Sequence, residues 1–105
     1  MELKVSSPGL DLDQERLQRI ERDLEKIDRR LKDYDLVYAE LRISHTEKGM
    51  TTYKTVLELE FGRTHLLASG ENSDMGVAVR EAREDILRQI NDRSRRGHSD
   101  FTKRG

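Results

Sequence analysis

The chain has 105 residues, 33% hydrophobic and 39% charged, with a formal net charge of −1. That length holds one domain with a thin core, burying about two thirds of the surface an unfolded chain exposes. Near-zero net charge with strong apolar periodicity excludes disorder over residues 1–91, and no apolar run approaches the roughly 18 residues of a membrane span. No apolar segment of signal-peptide type is expected near the start, where Lys4 is followed closely by Ser6, Ser7, Pro8 and Gly9. The absence of cysteine removes disulfides and thiolate metal sites and makes the cytoplasm the default location.

Leu3 and Val5 alternate with polar neighbours, a short first strand ended by the turn signal Ser7-Pro8-Gly9. Asp13 is a good N-cap, and Gln14 and Glu15 place a carboxylate in the first turn of a helix. Leu17, Ile20, Leu24, Ile27 and Leu31 then recur at 3-4-3-4 spacing, one apolar stripe that stops at Asp33-Tyr34-Asp35. Val37, Ala39, Leu41 and Ile43 alternate with Tyr38, Glu40, Arg42 and Ser44, a strand buried on one side only. After a loop from His45 to Thr51, the residues Tyr53, Thr55, Leu57, Leu59 and Phe61 continue the alternation. Gly62-Arg63 turns the chain into a fourth strand through His65 to Ala68, ending near Gly70. Glu71 to Asp74 is rich in N-cap residues, and Met75, Ala78 or Val79, Ala82, Ile86 and Ile90 mark a second amphipathic helix.

The order is therefore β-α-β-β-β-α. Three strands on hairpin loops pair antiparallel, while the first returns through a helix and lies parallel to a neighbour. The expected fold class is α+β, a two-layer sandwich with both helices on one face of a four-stranded mixed sheet. Residues 1–91 form the domain; 92–105 read as a basic, flexible tail with five cations against two anions.

Catalytic signals are scarce, and no enzyme is expected. His45, His65 and His98 have no metal-ligand spacing and read as ordinary exposed or edge histidines. Most carboxylates alternate with Arg and Lys at spacings suited to ion pairs on solvated helix faces. No phosphate-binding glycine loop and no nucleophile elbow around Ser69-Gly70 is present. No cofactor, metal, small-molecule substrate or membrane partner is expected.

Charge placement says more. Arg19, Arg22, Lys26 and Arg29 recur at 3-4-3 spacing, opposite the apolar stripe of the first helix, with Glu21, Glu25 and Asp28 to one side. Such a row suits successive phosphates; a solvated face laced with ion pairs is the plainer alternative.

The segment Leu67-Ala68-Ser69-Gly70, Asp74-Met75, Ala78-Val79 and Arg88-Gln89-Ile90 resembles the ribosome hibernation-promoting factor family, including the ribosome-associated inhibitor type. Upstream, Leu10-Asp11-Leu12-Asp13 and Leu24 with Lys26-Ile27-Asp28-Arg29 are similar to the family's first-helix pattern. The resemblance runs from residue 2 to about residue 97. It implies the same β-α-β-β-β-α fold, similar to double-stranded-RNA-binding domains with an added strand. It further implies binding to 16S rRNA in the small subunit's mRNA and tRNA channel, blocking initiation by occupancy under stress. The chain resembles a short member or an isolated N-terminal domain. Candidate nucleic-acid-binding residues are Arg19, Arg22, Lys26 and Arg29, with Arg80, Arg83, Arg88, Arg95 and Arg96 following.

A second reading is a protein-interaction or regulatory module that keeps the fold without binding rRNA. It rests on Asp85 and Asp92, which stand where the family commonly carries lysines, on Gly76 where it has an aromatic, and on Leu87, expected off the core face. A stand-alone duplex-RNA binder comes third, because Asp74-Met75-Gly76-Val77 lacks the lysine cluster such domains carry there.

Overall fold

Alternating apolar residues give the chain a sheet with one wet and one dry face, and the two helices cover the dry face. A computed structural model describes the backbone of residues 1–104 and the side chains of residues 1–94. Its elements are β1 (Glu2–Ser6), α1 (Gln14–Arg30), β2 (Val37–Thr46), β3 (Thr52–Phe61), β4 (Thr64–Asn72) and α2 (Met75–Arg104). The sheet order is β1-β2-β3-β4, with β1 parallel to β2 and the other pairs antiparallel. The α+β architecture is the one the periodicity predicts. Among the described residues, no helix is long and apolar enough to cross a membrane.

Side-chain alternation fixes the register, because a slip of one residue would expose the whole core face. Leu41 pairs with Leu57, Leu57 with Ala68, and Val5 with Leu41, so apolar residues line up across the sheet. Against them pack Ile20, Leu24, Ile27 and Leu31 of the α1 segment, and Val79, Ala82, Ile86 and Ile90 of α2, all buried. Leu17 and Met75, at the outer ends of the two stripes, are half-buried.

Local chemistry sets the helix boundaries. Asp13 caps α1, its Oδ1 accepting the Arg16 N–H at 2.8 Å. Asp74 does the same for α2, accepting the Val77 N–H at 3.2 Å, while its own N–H donates to Asn72 Oδ1 at 2.9 Å. Helix α1 ends three residues before Asp33, with the Leu31 N–H still bonded back to Ile27. Strand β4 extends two residues past Gly70, where the turn-forming composition suggested it would stop. Its pairing with β3 continues to Tyr53↔Asn72.

Close approach decides one glycine. A Cβ on Gly70 would lie 2.1 Å from the Ala78 carbonyl oxygen, so only glycine lets β4 pass this near α2. Beside it, the fully buried Thr55 hydroxyl donates to the Ala78 carbonyl at 2.8 Å. Strand β3, strand β4 and the first turns of α2 are thus locked together at one point.

Candidate nucleic-acid interface

Successive residues of an α-helix are about 100° apart. With Ile20, Leu24 and Ile27 of α1 buried, Arg19, Arg22, Lys26 and Arg29 fall on the opposite side, and all four are exposed. Arg19 donates to Glu15 Oε1 at 2.9 Å, a solvent-exposed i,i+4 pair of the kind that contributes little. Arg22, Lys26 and Arg29 form no ion pair among the described residues. The row from Arg19 to Arg29 is about 15 Å long at helical rise.

The second helix treats its arginines differently. Arg80 is exposed and lies beside the N-terminal turns of α1, in a groove shared with Arg16 and Arg19. Arg83 was expected in the nucleic-acid contact set, and the structure turns it inward. It is only 8% exposed, its Nη1 donates to the Asp23 carbonyl at 3.2 Å, and Nη1 lies 3.6 Å from Asp23 Oδ1. Its Nε donates to Glu84 at 3.3 Å. A guanidinium so engaged clamps α2 to α1 and has little left for a phosphate.

Arg88 is exposed but sits 3.9 Å from Asp85. Its neighbour Gln89 donates to the Leu67 carbonyl of β4 at 2.8 Å, which places this flank of α2 over the edge strand. Of these cations, Arg19, Arg22, Lys26 and Arg29 are exposed on α1, Arg80 and Arg88 are exposed on α2, and Arg83 alone is buried. The side chains of Arg95 and Arg96 lie outside the described residues. Leu87, expected off the core face, is half-buried against it.

Two groove residues had not been picked out as site residues. Arg16 continues the spacing of the cationic row one turn toward the N-terminus, a signal present in the sequence. Tyr53 comes from the first residues of β3 and reaches the groove only through the tertiary fold.

The open face of the sheet has the opposite character. Glu40 and Glu58 stand directly across from one another on β2 and β3, an unfavourable juxtaposition of like charges. Arg42 relieves it, reaching Glu40 at 2.8 Å and Glu58 at 3.8 Å, and Lys4 adds a contact to Glu40 at 3.7 Å. Glu58, Glu60 and His65 have donor atoms within 4.8 Å of one another, a set able to hold a cation. Spacing along the chain conceals it because the donors sit on adjacent strands. The His65 Nε2 to Glu58 contact of 2.5 Å already accounts for its two closest members. A phosphate backbone meeting this carboxylate-rich face would be repelled, whereas the exposed cations of α1 lie on the helical layer.

No protein-family model matches the sequence, and no characterised protein matches it by sequence. Solved structures do match in shape. The N-terminal domain of Protein Y from Thermus thermophilus superposes with a TM-score of 0.72 at 17% identity, over 86% of this chain and 96% of that one. A ribosomal subunit interface protein from Coxiella burnetii gives 0.75 at 13% identity, over 90% and 98%. The chain shares their fold. That is the fold the resemblance in the segments around Gly70 and Lys26 implies. At such identities the likeness concerns architecture, and the side-chain chemistry is this chain's own.

Proposed function

We propose that the chain is a non-enzymatic, ribosome-associated cytoplasmic factor that binds 16S rRNA of the small subunit and inhibits translation by occupying the mRNA and tRNA channel. The observation that carries this reading is the exposed row Arg22, Lys26 and Arg29 on α1, free of ion pairs among the described residues. It occurs on a fold shared with a ribosomal subunit interface protein. Three cations held on a rigid helix can displace counterions from successive phosphates, which gives affinity that falls with salt. Occupancy of this kind needs charge and shape and no turnover.

Co-sedimentation with purified small subunits over a salt series tests the reading. The protein is expected in the 30S fraction at low salt and to leave it as salt rises. Arg22→Glu with Lys26→Glu should weaken association and flatten its salt dependence. A native protein that stays at the top of the gradient even at the lowest salt would end the proposal.

The second reading, a protein-interaction module, draws its support from α2, where Asp85 lies beside Arg88 and the exposed Asp92 follows. A pull-down that returns one protein and no rRNA would favour it.

A further inference from the structure

We propose that the groove between the N-terminal turns of α1 and α2 is a nucleotide site, with Arg16 and Arg80 holding phosphate and Tyr53 receiving a base. The ligand class rests on the RNA-binding reading above; the site itself rests on geometry. The groove encloses about 460 Å³, within the roughly 300–1,000 Å³ of small-ligand sites. Three arginines from two helices, Arg16, Arg19 and Arg80, converge on it.

Two carboxylates also line the groove, and both are already committed. Asp23 Oδ1 lies 3.6 Å from the Arg83 guanidinium, and Asp74 Oδ1 caps α2 by accepting the Val77 N–H. Neither Arg16 nor Arg80 has an ion-pair or hydrogen-bond partner for its side chain among the described residues. Arginine without an anion, facing a concave site, is suited to forked hydrogen bonds with phosphate oxygens.

A Cβ on Gly76 would lie 3.5 Å from Arg80 Nη1 and only 3.2 Å from Asp74 Oδ1. The first is an ordinary contact and the second a tight one, so a side chain here would press on the α2 cap and leave the guanidinium its room. Half-buried Tyr53 and Met75 join the buried Ile20 and Val79 as the groove's apolar wall. Cationic and aromatic-apolar side chains lining one groove match a nucleotide, whose phosphate and base differ in the same sense. A bare anion would leave the wall unused.

The site has two possible sources of ligand, a residue of single-stranded RNA or a free nucleotide. Fluorescence anisotropy of the full chain with fluorescein-labelled hexauridylate, at low salt and with uridine 5′-monophosphate as competitor, separates them. Native protein should bind the hexamer, and Arg16→Glu with Arg80→Glu should abolish binding. Tyr53→Leu should weaken binding about fivefold or more, and Tyr53→Phe should restore it by keeping the ring. Displacement by the monophosphate assigns the groove to free nucleotides; a bound hexamer that resists displacement assigns it to an RNA strand. Absence of hexamer binding, or variants that fold by circular dichroism and bind like the native protein, would overturn the proposal. The assay contains no ribosome, so its failure leaves ribosome co-sedimentation standing, and failed co-sedimentation leaves the groove.

Discussion

Helices α1 and α2 both carry arginine along their length, but packing gives those arginines different work. Helix α1 touches the sheet along one stripe and leaves its far side to water, so Arg22, Lys26 and Arg29 keep their charge available. Helix α2 is held more tightly: Gly70 and Thr55 fix its first turns to the sheet, and Gln89 ties it to the edge strand. Arg83 is spent on joining the two helices, and Arg88 lies against Asp85. The same residue type stays in water along α1 and becomes a structural member at Arg83 of α2. Burial makes the difference, because a guanidinium withdrawn from water must be hydrogen-bonded inside the protein.

Mutations can break this contrast at its strongest point first. Leu24→Ala removes the fully buried centre of the α1 stripe and should cost about 3 kcal/mol of stability in urea unfolding. Gly70→Ala drives a methyl group into the Ala78 carbonyl and should cost about 2–3 kcal/mol by the same measurement, since backbone on both sides resists movement. Arg83→Ala leaves Asp23 without its partner and should cost about 2 kcal/mol. It should leave the salt dependence of ribosome association unchanged, and an altered slope would return Arg83 to the contact surface. Arg22→Glu with Lys26→Glu is the converse: stability within about 0.5 kcal/mol, association weakened. Arg88→Ala should be the mildest, altering stability by no more than about 0.5 kcal/mol. A loss of ribosome affinity in this variant comparable with that of the α1 double mutant would erase the distinction between the helices.

Much of the fold was legible because periodicity reports burial directly. The 3-4-3-4 stripe of α1 and the alternation from Val37 to Phe61 leave one way to make a dry face, and Asp13 and Asp74 mark where the helices begin. The end of β4 was less legible. Glu71 and Asn72 have the composition of a loop, yet pairing with Lys54 and Tyr53 carries them into the strand. Cross-strand bonding outweighed local preference there.

The interface was legible in half. The cationic row on α1 follows from spacing within one helix. The inward turn of Arg83, the half-burial of Leu87 and the approach of Tyr53 to Arg16 and Arg80 depend on which side of α2 meets α1. No pattern within α2 states this, because its arginines fall at helical spacings compatible with either an outward or an inward side chain.

The sequence by itself therefore determined the number and order of the elements, the apolar face of each and the cationic face of α1. All of these are properties of residues a few positions apart. Only the tertiary structure decided which cations remain free, where the acidic face of the sheet lies and how a groove closes between two helix starts. Those features join residues dozens of positions apart, and they depend on the relative placement of whole elements, set by close contacts such as that of Gly70 with Ala78.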